Sequence, residues 1–170
     1  MTFFVIMVQL ATKSKSVTDK TDMISFLRNK KVAIVVSLFN TPVCEGLLSG
    51  AIETLYEYGF DTDRYEIFKV PGAFEIPFVA KKAALSGRFD GVVALGCVIR
   101  GETPHFEFVS LAATMGCLTA GLEAGKPVTF GVITVNDQAQ ADDRSQPGEF
   151  NKGREATLAL FDVFKTLDRI

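Results

Sequence analysis

The sequence predicts a three-layer α/β/α sandwich around a four-stranded parallel sheet, and three observations carry that expectation. Short apolar runs of strand length recur along the chain, and most are continuous rather than alternating, as strands covered on both faces tend to be. Longer stretches with helical spacing lie between them. Boundary residues punctuate the junctions.

The four runs are Val32 to Ser37 (VAIVVS), Tyr65 to Val70 (YEIFKV), Gly91 to Cys97 (GVVALGC) and Val128 to Thr134 (VTFGVIT). Their β-branched content suits strands. Helices are expected over about residues 43–58, 74–86, 104–123 and 153–167. Pro42 and Pro104 stand where a first helical residue would, Gly59 and Gly87 follow helix ends, and Gly125, Lys126 and Pro127 break the third helix before its strand. Four βα units in series give a doubly wound, flavodoxin-like sheet.

Ahead of these units, residues 11–23 (ATKSKSVTDKTDM) are polar and aperiodic and read as a flexible lead-in. The expected organisation is an arm over residues 1–30 and one domain over 31–170. The apolar run Phe3 to Leu10 has strand composition but no partner nearby in sequence. It is expected to join the sheet of a neighbouring subunit, since an unpaired apolar strand invites aggregation. The run is too short to cross a bilayer and lacks the basic region and cleavage site of a signal peptide, so a soluble, unexported protein is expected.

The 170 residues are 48% hydrophobic and 22% charged, which fits one globular domain with a full core. A net charge of -2 with scattered Lys and Arg argues against nucleic acid or an anionic membrane as partner. Cys44, Cys97 and Cys117 are odd in number and far apart, which speaks against a disulfide framework or a CxxC site and fits a reducing cytoplasm. A single histidine excludes a two-His metal site. No GxSxG or GxGxxG motif is present, and Gly121 to Pro127 (GLEAGKP) lacks the length and the Ser or Thr of a phosphate loop.

Ligands of open α/β sheets bind at the carboxyl ends of the strands, so the loops after each strand hold the candidates. After strand three, Gly101, Glu102 and Thr103 lead into a helix start at Pro104, where free amides and the helix dipole favour an anion. Beside them is His105, whose imidazole titrates near neutral pH and is either a proton carrier or an ordinary helix-start histidine. Phe39 at the end of strand one is a ligand platform or one more core ring among fifteen phenylalanines; adjacent Asn40 favours exposure. Gly72 and Ala73 would let a ligand approach backbone, and Glu75 is either a hydroxyl acceptor or a first-turn acid complementing the helix dipole. Arg144 and Lys152 lie in DDRSQPGEFNKGR, read first as a solvated loop interrupting the last helix, with a phosphate ligand as the other reading.

Across about residues 31–168 the chain resembles lumazine synthases, through SLFN at the end of strand one, VPGAFEIPFVAKKAA, ALGCVIRGETPHFEFV, KPVTFGVITV and the closing NKGREA. The resemblance implies condensation of 5-amino-6-ribitylaminouracil with 3,4-dihydroxy-2-butanone 4-phosphate, without a cofactor, to give 6,7-dimethyl-8-ribityllumazine, phosphate and water. By position it implies that Phe39 stacks on the pyrimidine and that Ala73 and Glu75 meet the ribityl chain, with Asn40 and Phe74 also among the substrate-binding residues. Val98 and Ile99 would contact the ring through backbone, Gly101, Glu102 and Thr103 would cradle the phosphate with Arg144, and His105 would shuttle protons. Phe130, Arg144 and Lys152 would come from the adjacent subunit of a homopentamer.

Two departures stand out against the family pattern. Leu38 occupies a position that often carries a basic residue, and Ser145 to Phe150 (SQPGEF) replaces the Gly- and Lys-rich turn of relatives that form sixty-subunit shells, which favours a free pentamer. The rival readings are a flavin- or lumazine-binding protein without turnover and a purely structural shell protein. Retained His105, Arg144 and Lys152 weigh against the first, and Phe39 beside a phosphate turn against the second.

Overall fold

β1 (Val32–Ser37) sits inside a parallel sheet, with Val32 opposite Tyr65 of β2 (Tyr65–Val70) on one side and opposite Gly91 of β3 (Gly91–Ile99) on the other. β4 (Val128–Val135) pairs with β3 and completes the order β2-β1-β3-β4. This is a computed structural model, and it describes residues 20–170. The strands fall where the apolar runs predicted them, with β3 and β4 running on to Ile99 and Val135. The strand expected over Phe3 to Leu10 lies outside the described residues.

Side-chain alternation divides the core in two. Val32, Ile34 and Val36 of β1 pack with Val93, Leu95 and Cys97 of β3 beneath α2 (Thr41–Glu57) and α6 (Lys152–Leu167). Ala33, Val35, Val92 and Ala94 face α3 (Ile76–Leu85) and α4 (His105–Ala124) on the other side. Continuous apolar strands are thus covered on both faces, as their sequence requires.

Three local expectations change. Residues 20–27 form a helix, α1, although 11–23 read as a flexible lead-in; Leu27 is fully buried in the first core half. Arg64 explains the docking: its Nη1 donates to the carbonyls of Leu27 (3.1 Å) and Arg28 (2.8 Å), satisfying acceptors at the helix end. α3 begins at Ile76, because residues 72–75 form a turn closed by the Glu75 amide on the Gly72 carbonyl (3.3 Å). Finally, α5 (Gln138–Ser145) occupies part of the stretch read as loop, capped by Asp137, whose side chain accepts from the Gln140 amide at 2.8 Å. So polar a helix buries only Ala141 and Ser145 and carries no apolar period to reveal it.

α4 is apolar on both sides. Its inner face is made of small residues, Ala113, Cys117 and Ala120. A Cβ at Gly116 would come within 2.6 Å of Pro77, so α3 and α4 pack closely. Its outer face exposes Phe108, Leu111, Met115, Leu118 and Leu122 at helical spacing.

Replacing Leu27 with Ala is expected to lower the unfolding free energy by about 3 kcal/mol, the usual cost of emptying a fully buried leucine site. An unchanged urea midpoint would mean that α1 does not belong to the core.

Candidate active site

The turn after β1 is shaped by its own side chains. Ser37 Oγ accepts from the Phe39 amide (3.1 Å), Cys44 Sγ donates to the Phe39 carbonyl (3.2 Å), and Asn40 takes a left-handed φ of 59°. Asn is among the few side chains that tolerate that region. Asn40 Nδ2 also donates to the Cys97 carbonyl (3.0 Å), tying β1 to the end of β3. With its backbone so fixed, the Phe39 ring stands 69% exposed at the mouth of a cleft rather than in the core.

That cleft, about 560 Å³, opens at the carboxyl ends of β1, β2 and β3. It brings together Phe39, Asn40, Ala73, Phe74, Glu75, Val98, Ile99, Gly101, Thr103 and His105, all candidates from the sequence. A Cβ at Gly72 would meet Glu75 Oε2 at 3.1 Å, so the glycine leaves room for that carboxylate. Cys97, Phe106 and Val109 also line the cleft and were not anticipated. For Phe106 and Val109 a signal existed, because they repeat at i and i+3 directly after the anion-type turn.

Among the described residues no hydrogen bond engages the amides of Gly101, Glu102 or Thr103, so all three remain able to donate. A Cβ on Gly101 would meet nothing within 4 Å, so the backbone there borders open space. Just ahead, Arg100 closes the β3 and β4 pairing through its amide on the Val135 carbonyl (2.9 Å) and holds the Glu107 carboxyl below the usual range by hydrogen bonding. His105 opens α4 beside the turn. Glu102 is exposed and does not line this cleft.

Phe130, Arg144 and Lys152 are elsewhere. They line a second cleft of about 390 Å³ between β4 and α6 that shares no residue with the first. There Lys152 Nζ pairs with Glu155, and Arg144 Nη1 donates to the Gln140 carbonyl at 2.9 Å. Within one chain the candidate residues therefore fall in two separate clefts.

The second cleft is braced by Asn151, a residue the sequence does not single out. Buried at the start of α6, its Oδ1 accepts from the amides of Gly153 (2.9 Å) and Arg154 (3.1 Å), while Nδ2 donates to the carbonyls of Gly46 (3.0 Å), Ser145 (2.8 Å) and Gln146 (3.1 Å). Close backbone approach makes this possible: a Cβ at Gly50 would lie 2.1 Å from Asn151 Oδ1, and one at Gly153 would lie 1.9 Å from the Leu47 carbonyl. Arg154 adds a two-pronged contact to Glu57 (3.0 Å to each oxygen), fastening α6 to α2.

The thiols are poorly suited to nucleophilic chemistry. Burial pushes Cys44 up to about 11 and Cys97 and Cys117 up to about 12, so all three stay protonated near neutral pH. Among the described residues there is no cluster of His, Cys, Asp or Glu able to hold a metal ion.

Fold and site together define a flavodoxin-like α/β protein with a small-molecule cleft and an unbonded amide turn at the carboxyl edge of its sheet. The family model of 6,7-dimethyl-8-ribityllumazine synthase matches residues 29–168. A curated relative from Caulobacter vibrioides, 6,7-dimethyl-8-ribityllumazine synthase 1, is 49% identical over 140 residues, covering 82% of this chain and 92% of the relative. The chain belongs to the lumazine synthase family.

Asn151→Ala is expected to cost about 3 kcal/mol, since it removes a helix cap and strands buried carbonyls. Chemical denaturation checks this; a loss below about 1 kcal/mol would contradict the hub role.

Proposed function

We propose that this chain is a transferase of riboflavin biosynthesis that condenses 5-amino-6-ribitylaminouracil with 3,4-dihydroxy-2-butanone 4-phosphate to form 6,7-dimethyl-8-ribityllumazine, releasing phosphate and water. The observation that carries this reading is the single cleft in which an exposed ring (Phe39), a carboxylate (Glu75), free amides (Gly101, Thr103) and the only imidazole (His105) converge in a member of this family.

Each part of the reaction has a counterpart. The flat pyrimidine stacks on Phe39, backbone of Val98 and Ile99 reads its edge, and Glu75 with the Ala73 and Phe74 backbone accepts the ribityl hydroxyls. Phosphate docks on the amides of Gly101, Glu102 and Thr103, at the positive end of α4. The 5-amino group attacks the ketone and water leaves, phosphate is then eliminated, and ring closure expels a second water. His105 carries the protons these steps move. Holding two reactants in one cleft removes much of the entropic barrier to their meeting.

The second half-site completes the first in a neighbouring copy. Phe130, Arg144 and Lys152 of one protomer close over the cleft of the next, Arg144 binding the phosphate through its planar fork. Two different surfaces meeting head to tail make a heterologous interface, and such an interface gives a ring when the rotation between copies closes. The outward apolar stripe of α4 supports this, since a helix apolar on every side is covered on every side. A homopentamer without further assembly is the ring we favour, given the SQPGEF loop at 145–150. Three buried free thiols fit a cytoplasmic setting, and no helix among the described residues is long and apolar enough to cross a membrane.

Mixing the two substrates should yield the fluorescent lumazine. His105→Ala should lower kcat by roughly 100-fold while leaving the assembly intact. Arg144→Ala should mainly raise the KM for the phosphorylated ketone. Wild-type rates in His105→Ala would remove the imidazole from the chemistry, and an unaltered ketone KM in Arg144→Ala would remove the guanidinium from the phosphate.

A further inference from the structure

Arg100 lies between Ile99 and Gly101, both of which line the cleft, yet Arg100 does not. Its side chain is turned outward and meets two other elements. Nε donates to Asn136 Oδ1 (3.2 Å) just beyond β4, and Nη1 donates to Glu107 Oε1 (2.5 Å) in the first turn of α4. The guanidinium also covers the Phe106 ring at 4.4 Å, and Phe106 lines the cleft. One planar group thus joins the end of β4 to the start of α4, with residues 101–104 strung between its anchor and its contacts.

The turn needs such a support. None of the Gly101, Glu102 or Thr103 amides is held by another group among the described residues, and Gly101 has no neighbour at its Cβ position. A loop that must be frozen on binding loses conformational entropy at every residue, so a turn fixed beforehand binds more tightly. Only a fork with several directed donors, like that of arginine, can hold Glu107 and Asn136 at once while lying flat on a ring.

We propose that Arg100 is a positioning residue for the anion subsite: clamped to Glu107, Asn136 and Phe106, it fixes the Gly101–Thr103 amides and the start of α4 without touching the anion. The ligand class rests on the reading given under Proposed function. The competing possibility is that Arg100 attracts the anion directly by its charge, and the two differ in sign. Glu107→Ala frees the guanidinium and removes a negative charge near the subsite. Direct attraction then predicts tighter anion binding, and the clamp predicts weaker. Arg100→Lys keeps the charge but loses the fork, so only the clamp predicts a loss there.

The test is titration calorimetry of inorganic phosphate into the full-length assembled protein, with steady-state kinetics and a thermal melt of each variant. Arg100→Lys and Glu107→Ala should each weaken phosphate roughly tenfold and raise the KM for the phosphorylated ketone, with the pyrimidine KM and the melting temperature nearly unchanged. Wild-type phosphate affinity in both variants, or tighter binding in Glu107→Ala, would overturn the clamp while leaving the functional reading standing. A wild-type protein that neither binds phosphate nor makes product would overturn both.

Discussion

All four strands of the sheet run in one direction, and this constraint decides where chemistry can take place. Parallel strands bring their carboxyl ends, and the starts of the helices that follow, to the same edge of the molecule. The edge collects backbone groups that regular structure leaves unpaired. Here it holds the Phe39 turn, the Gly72 to Glu75 turn and the Gly101 to Thr103 turn around one cleft, although these lie far apart in sequence. Burial of both sheet faces then allows little freedom in the strands that deliver them. β1 is buried throughout, and β3 is buried up to its last residue.

Precision at the edge comes from small polar braces rather than from the core. Asn40, in its left-handed conformation, joins β1 to β3, and Arg64 ends α1 on the sheet side. Asn151 gathers α2, α5 and α6 around one buried amide, and Gly50 and Gly153 admit the close approach that this needs. Asn151 places Arg144 and Lys152 on one surface while the β3 and α4 junction places His105 on another. On the proposed reading, in which these two surfaces complete one site, a protomer with an α4 that is also apolar toward solvent has reason to close with copies of itself.

Features that depend on periodicity were legible in the sequence. Continuous apolar runs marked the inner strands β1 and β3 nearly to the residue, because a strand buried on both faces tolerates few polar positions, whereas the partly buried edge strands β2 and β4 were marked by their β-branched and aromatic content. The place of the Gly101 to Thr103 turn and of His105 at a strand end ahead of a helix start was legible from the run of apolar residues before it and Pro104 after it. What escaped depended on contacts distant in sequence. α5 is polar and stands by its Asp137 cap, α1 shows its core role only through Leu27 and Arg64, and Asn151 looked like one more polar residue in a loop. The separation of Arg144 and Lys152 from His105 within a chain is likewise a three-dimensional fact with no local signature; only the family resemblance suggested it.

On the proposed reading, catalysis needs the His105 cleft of one copy and the Arg144 surface of the next. Co-assembling His105→Ala chains with Arg144→Ala chains tests it directly, because each variant retains the half that the other has lost. Random mixing in a closed ring should regenerate about one quarter of the wild-type sites, well above either variant alone. A mixed assembly no more active than the mean of its parents would show that each site is built within a single chain.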